Sequence, residues 1–583
     1  MSGLIGALLN GSQSLATQSQ GVQIAGKNLA NSNTPGYARQ RIIVGSLGTV
    51  QTAIGAQSMG TQAVGIQQIR DKFLDVQMTR EISQTGLLQA QSVNLQKAQA
   101  DLGEQIDSTA NATSITDLTH STSGVSSGIN DFFNAFDNLA SNPTDAGAKQ
   151  VLLQEADLLT NKINVADSRL EGLQSDITAQ NKGDLTTVKG LLEDIASFNN
   201  QIQKVEINSQ DSAADLRDQR QSTLEELAKY MDFTTRDIPD GHGQIQVLSQ
   251  DDLGKDVMLV DKTSVLGEVS YNEATKEFTG GAPTKVDGLQ VNAPTSDDVK
   301  GVNDLLKDIA SLNTQIQAVE TGAPNSATAL RTQRQTALDT LANSLSFTTR
   351  DVPGANGQIQ VAVKNPAGAE VVLVDRGNAG SISYDAGTSQ FSGTAPVSVL
   401  SLQGGSLKGN VVSRDGAIQQ LRDDIKATAQ QITDSVNSAY GSSFFDATPT
   451  SGLISVNSAL TINTLKTSSD GSPGGNDVAT AVANVANKVH SISGNDKFDG
   501  TISSFYSRAA SGFGQSVTNV ESKLADQTTV EGLISAQRDS VSGVSQDEEM
   551  TDLMRYQRAF QASARVINVI DNLLDVVVNS LGR

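Results

Sequence analysis

The sequence predicts an α+β multidomain protein, with terminal helices forming a coiled coil, an α-helical bundle domain built from both ends of the chain, and two repeated α+β modules inserted in the middle. Three observations predict it. Apolar residues recur at three- and four-residue spacing at both ends of the chain. A segment of helices and short strands occurs twice, at an offset of about 114 residues. Hydrophobic residues make up only 37% of the 583, and aromatics 4% with no Trp, so the cores are thin and suit elongated helical architecture.

Residues 1 to 26 carry no charged side chain, and Met1, Leu4, Leu8, Leu15, Val22, Ala25 and Leu29 form a heptad stripe with Gly11 and Gln18 in its gaps. A helix with so few charge pairs is too weak to stand alone and needs a partner. After it, "NLANSNTPGYARQ" (28–40) crowds Asn31, Thr34, Pro35, Gly36 and Tyr37 into one turn. Asn and Ser suit freed helix-end groups, Pro35 blocks helical continuation, Gly36 permits an unusual φ, and Tyr37 anchors the turn by packing.

The other end has the same period. Met550, Leu553, Phe560, Ala564, Ile567, Leu574, Val578 and Leu581 follow it, with Gln557 and Asp571 as interruptions and a second stripe at Val566, Ile570, Leu573 and Val577. Ser545 and Glu548 form a capping box, and Asp547, Glu548 and Glu549 suit the positive end of the helix dipole. Two sticky stripes at the two ends are read as pairing with each other and with neighbouring molecules.

Between them, residues 62–107 read as helix, with Ile66, Ile69, Phe73 and Val76 early. Leu152, Leu159, Ile163, Leu170 and Ile177 mark a long helix, with Thr144 or Asn142 as its N-cap. The repeat follows. "LLEDIASFNNQIQKVE" (191–206) recurs as "LLKDIASLNTQIQAVE" (305–320), and "LRDQRQSTLEELA" (216–228) as "LRTQRQTALDTLA" (330–342). "FTTRDIPDGHGQIQV" (233–247) recurs as "FTTRDVPGANGQIQV" (347–361), ahead of further short strands. "GGSLKGNVVSRD" (404–415) then leads into a helix with Ile418, Leu421, Ile425 and Ile432. The expected domains are 1–40 with 545–583 (terminal coiled coil), 41–187 with 404–544 (mainly helical), 188–290 (first module) and 302–403 (second module).

Net charge of −22 and a pI near 4.5 argue against nucleic acid and anionic membranes as partners. There are no cysteines, which removes disulfides, thiolate metal sites and thiol nucleophiles. The first residues lack the pattern of a cleaved signal peptide, and no run approaches the ~20 apolar residues of a membrane span.

His120, His242 and His490 are scattered, and His242 in "DGHGQ" reads as a turn residue because Asn356 replaces it in the second copy. "GGSLKG" lacks the rest of a phosphate loop, and the Asp251-Asp252 and Asp297-Asp298 pairs read as solvated charges. Arg217 and Arg220 of "LRDQR" read as local ion pairs. No catalytic residues, cofactor or metal ligands are expected, so no enzyme.

"NLANSNTPGYARQ" together with "SGVSQDEEMTDLMRYQRAFQASARVINVIDNLLDVV" (542–577) resembles the signatures of the bacterial flagellar rod/hook axial protein family. Ser542, Gly543, Val544, Asp547, Glu548 and Glu549 favour its hook–filament junction branch. The resemblance implies a structural adaptor that assembles through Leu4, Leu8, Leu15, Val22, Leu29, the 31–37 turn, Leu553, Tyr556, Phe560, Ile567, Leu574, Val578 and Leu581. It implies a homo-oligomeric ring at the distal end of the hook, and contacts with the hook protein and with a second junction protein on the filament side. It further implies an export chaperone at the C-terminal region, passage through the type III apparatus without a cleaved signal peptide, and an extracellular flagellar location. The family carries the "DQR" helix and its β-module once; here there are two. A hook or distal rod protein is the alternative within the family. A repeat-based adhesin is the other, but Tyr271 and Tyr384, the aromatics at equivalent places in the modules, read as core strand residues.

Overall fold

In the computed structural model the described residues are 2–34, 36–46, 48–52, 55–58, 60–103, 124–207, 211–239, 241–251, 254–281, 285–289, 296–321, 326–342, 344–364, 370–385, 390–395, 398–494 and 496–580. Their helices are α1 (Ser2–Ala30), α2 (Lys72–Leu102), α3 (Gly124–Ser141), α4 (Ala146–Glu206), α5 (Ala214–Tyr230) and α6 (Ser296–Glu320), followed by α7 (Thr328–Ala342), α8 (Gly405–Val412), α9 (Gln419–Tyr440), α10 (Asp477–Ala483), α11 (Ile502–Ser542) and α12 (Gln546–Ser580). Small antiparallel sheets complete the α+β fold. No described helix is long and apolar enough to cross a membrane.

The helical body packs α3, the first half of α4, α9, α10 and α11 around Leu152, Leu159, Ile163, Leu170, Ile425 and Ile432. The scarce aromatics are concentrated here. Phe132 lies 5.1–5.8 Å from each of Phe133, Phe136, Phe444 and Phe445, mostly edge-on. A thin composition thus still supplies one well-filled core.

Several expectations change. Residues 61–68 form a strand, not helix: Thr61–Gln68 pairs antiparallel with Gln40–Ser46, with a bulge at Ile43/Val44. Gly65 weakens a helix there, and the β-branched Thr61, Val64 and Ile66 suit a ribbon. The α4 N-cap is Asp145, whose carboxylate accepts from Gly147 N at 2.7 Å, rather than Thr144 or Asn142. The long helix and the first repeat helix are one 61-residue element, about 90 Å at 1.5 Å per residue, so α4 enters both the helical body and the first module.

The modules exchange strands. Lys285–Leu289, expected in the first module, pairs with Gln390–Thr394 of the second. Ser398–Leu400, expected in the second, pairs with Glu277–Gly280 of the first, and Leu400 and Leu402 are buried in the first module's core. The chain leaves the first sheet, builds the second module, and returns to finish the first. Similar short strands carry no mark of which sheet they join, so spacing alone could not assign them.

The arginines of "LRDQR" make tertiary contacts instead of local pairs along their own helix. Arg217 clamps Glu206 at the end of α4 with two bonds of 2.7–2.8 Å, and Arg220 donates to Asn199 Oδ1 and to the Gly243 carbonyl. Arg331, Glu320, Arg334, Asn313 and Gly357 repeat this in the second copy. His242 and Asn356 both adopt positive φ (46° and 45°), as turn residues do.

Candidate assembly site

Helices α1 and α12 pack antiparallel along their length. Ser14 meets Ser563 at 3.3 Å, Asn28 meets Glu549 at 3.0 Å, and the α-carbon hydrogens of Gly11 and Gly21 face Ile567 and Tyr556. A Cβ on Gly11 would lie 2.8 Å from Ile567 Cγ1, and one on Gly21 2.6 Å from the Tyr556 ring. Only glycine admits this approach. The seam on α1 is therefore Gly11 and Ser14, half-buried, and Gly21 and Asn28, buried, with Thr17, Ile24 and Ala25 buried beside it.

Leu8, Leu15, Val22 and Leu29 flank the seam half-buried, as do Leu553, Tyr556, Phe560, Ile567 and Leu574 on α12. Pro35 and Leu581, and the side chains of Leu4 and Val578, lie outside the described residues. Part of the second α12 stripe faces outward: Val566 and Leu573 are exposed, together with Val569, Val576 and, on α1, Leu9.

The seam ends in a polar lock. Asn28, 1% exposed, donates to the Gln40 carbonyl (2.7 Å) and to Glu549 Oε2 (3.0 Å), while its Oδ1 accepts from Tyr37 OH (2.8 Å) and Gln40 N (3.0 Å). All the side chain's bonding capacity is used, as burial requires. Arg39 Nε donates to Glu549 Oε1 (2.6 Å) and Nη1 to Glu548 Oε2 (2.7 Å). Burial alone would push Arg39 down, but Glu549 and then Glu548 hold it above its ordinary value. The turn also caps α1: Asn31 Nδ2 donates to the Lys27 carbonyl at 2.9 Å, Thr34 Oγ1 donates to Asn31 Oδ1 at 3.2 Å, and Gly36 adopts φ 74°.

Helix α5 of the first module seats against this turn. Lys27 and Gln40 both donate to Asp215, and Arg70 bridges Asp218 (2.6 Å), Asp75 (3.1 Å) and the Gly36 carbonyl (2.7 Å). Burial pushes Asp218 up to about 6, an effect Arg70 only partly offsets. Burial, then the charges of Asp218, Asp215 and Glu549, raises the Tyr37 phenol. Arg538 of α11 reaches Glu225 of α5 at 2.5 Å. In the second copy Asp215 and Asp218 become Ala329 and Thr332, both exposed: the helix that does not dock lacks the docking carboxylates.

The turn residues Asn31, Thr34, Gly36 and Tyr37 are thus brought to the end of the α1/α12 pair. Asn28, Arg39, Arg70, Asp215, Asp218 and Glu549 join them without having been singled out as interface residues. Asn28 had a signal, a lone Asn at heptad spacing from Gly21; the carboxylates of α5 had none, because their partners lie 148–188 positions away. No cluster of three metal-ligating side chains occurs among the described residues.

The two ends of the chain thus fold onto each other and are locked at a turn that also seats the first module. The profile of the flagellar hook-associated protein FlgK helical domain matches residues 114–281 and 285–448, more than half of the sequence, and the flagellar basal body rod FlgEFG protein C-terminal profile matches 535–581. The chain belongs to the flagellar hook-associated protein FlgK family, structural proteins of the bacterial flagellum. It is 22% identical over 595 residues to flagellar hook-associated protein 1 of Bacillus subtilis (98% of this chain, 97% of the relative). It is 23% identical over 612 residues to that of Escherichia coli K12 (99% and 100%). The solved flagellar hook junction protein FlgK of Burkholderia pseudomallei aligns with TM-score 0.46 and 11% identity, over 80% of this chain and all of that one.

Proposed function

We propose that this protein is a structural adaptor at the junction between flagellar hook and filament, assembling through its paired helical ends. The observation that carries the reading is the α1/α12 pair, closed on itself at the Asn28–Glu549–Arg39 lock yet leaving Leu9, Val566, Val569, Leu573 and Val576 exposed along its outside. An exposed apolar stripe on a helix pair calls for neighbours. Copies of this chain in a ring, the hook protein on one side and a second junction protein on the other are the partners it fits. A largely uncharged α1, weak in isolation, suits a chain that passes unfolded through the type III apparatus and orders on arrival outside the cell. The C-terminal region, with its exposed aliphatics, is where an export chaperone would bind. The modules and helical body, joined to this pair at the turn, form the outer part.

Electron microscopy of cells lacking the gene, with assay of the medium for flagellin, tests the reading. Complete hooks without filaments and flagellin shed into the medium support it. Absent hooks would move the protein to the rod or hook, and normal filaments would refute an axial role.

A further inference from the structure

We infer that adjacent copies contact each other side by side through two complementary patches, one at the start of α2 and one at the start of α12. The inference rests on the ring assembly proposed above and names the surface that builds it.

The first patch centres on Phe73. It is 67% exposed, and every other Phe whose side chain is described is at least half-buried. Val76 is exposed beside it, and Lys72 and Arg80, 71% and 69% exposed, flank it. Lys72 pairs with Asp237 and Arg80 with Glu81, but surface pairs of this kind contribute little and are readily exchanged. An apolar, cationic patch on a chain of net charge −22 calls for an acidic, apolar partner.

The same chain carries an exposed apolar surface with a carboxylate at its N-terminal edge and Arg558 beyond it. Asp547, Met550 and Met554 lie along the outward side of the first turns of α12, all exposed. Met and Phe make favourable sulfur–aromatic contacts, and the flexible thioether adapts to an irregular partner. Asp547 supplies the charge opposite to Lys72 and Arg80.

Both patches are anchored at Arg39. Its carbonyl accepts from Ile69 N at 2.8 Å, three residues before Lys72, and its guanidinium binds Glu548 and Glu549, next to Asp547 and Met550. Lateral neighbours in a ring meet at equal height, so a patch and its complement must share that height. Pairing one copy's Phe73 patch with the next copy's α12 patch is heterologous and passes from copy to copy until the ring closes. The contact also continues the α1/α12 stripe, since Met554 lies on the same outward side as Val569 and Val576.

The absence of cysteine makes a direct test available. Phe73→Cys, Met554→Cys and the double variant are expressed in motile cells, and intact flagella are treated with a short bismaleimide. The double variant is expected to give a ladder of multimers of this chain, and each single variant none, because a heterologous contact needs both sides. A homodimer from Phe73→Cys alone, or an adduct joining Phe73→Cys to a different protein, overturns the proposal. Leu9→Cys with Val569→Cys serves as the control on the terminal pair. Multimers of the chain there with no ladder from the double variant sink the patch and leave the ring standing. Multimers from neither sink the ring reading itself, and the patch with it. Charge reversal adds a second readout. Lys72→Glu with Arg80→Glu should abolish recovery of the protein in flagella, and Asp547→Lys should restore it; loss without rescue counts against the pairing.

Discussion

Asn28 is buried in the seam, where its amide supplies partners to Glu549, Tyr37 and the Gln40 backbone. Its amide joins α1, the strand after the turn, Tyr37 and α12, so it holds only when Gly21 lies opposite Tyr556 and Ser14 opposite Ser563. A single buried Asn in a coiled coil is the best-attested device for setting register. Asn28→Ala should cost about 1–3 kcal/mol by leaving Glu549 and the Gln40 backbone unsatisfied. Hydrogen exchange of α1 and α12 in the purified chain would read this as faster opening of both helices, and unchanged protection would refute it. Asp218 makes a pH prediction. Its folded pKa, about 6, lies above the ordinary carboxylate value, so the folded state binds its proton more tightly than the unfolded state. The stability it contributes is full below pH ~4 and is lost as pH rises through about 6. The stability of the native chain relative to Asp218→Asn should therefore fall between pH 4 and 7 in denaturant titrations; a rise would show that Arg70 dominates burial.

At the scale of elements, the α1/α12 pair depends on closeness more than on hydrophobic area. Gly11 and Gly21 receive Ile567 and Tyr556, so the larger α1 side chains sit beside the seam instead of in it. Gly21→Val should force the helices apart and make both ends sensitive to protease together, while the helical body, whose core lies among α3, α4, α9 and α11, stays resistant. Cleavage of one end alone would mean that the helices do not depend on each other. The two copies of the "DQR" helix show how context edits an element. The inward contacts of Arg217 and Arg220 persist at Arg331 and Arg334, whereas the docking carboxylates survive only on the copy that docks.

At the scale of the whole molecule, the second module is nested inside the first. Gly280 stands opposite Ser398 in the register, so the strand ends that flank the inserted module are neighbours. Replacing residues 282–397 by one glycine leaves a two-residue turn, Gly281-Gly, of the kind that closes antiparallel hairpins, and Gly281 already adopts φ 79°. This shortened chain should fold with its first module intact and melt cooperatively. Deleting 302–403 instead removes Leu400 and Leu402 from the first core, and each lost buried leucine costs about 2–5 kcal/mol. Comparable melting of the two deletions would refute the nesting.

The sequence by itself determined the elements: long helices from unbroken three-four spacing, the repeat from plain identity, the turn from Pro35 and Gly36, and the kinship of the two ends from their motifs. Local periodicity is enough for these, because a helix or turn answers to residues a few positions away. Only the tertiary structure decided partners and register. On α1 a leucine stripe and a glycine–serine stripe run side by side at the same period, and hydrophobicity ranks the leucines first; Ile567 and Tyr556 select the glycines, because packing rewards close approach. Ser398–Leu400 fits an edge strand of either module, and its partner, Glu277–Gly280, lies more than a hundred residues back, beyond any signal in the strand's own three side chains. Nothing within a few positions of Asp215 and Asp218 marks their partners, Lys27, Gln40 and Arg70, which only the fold sets against them.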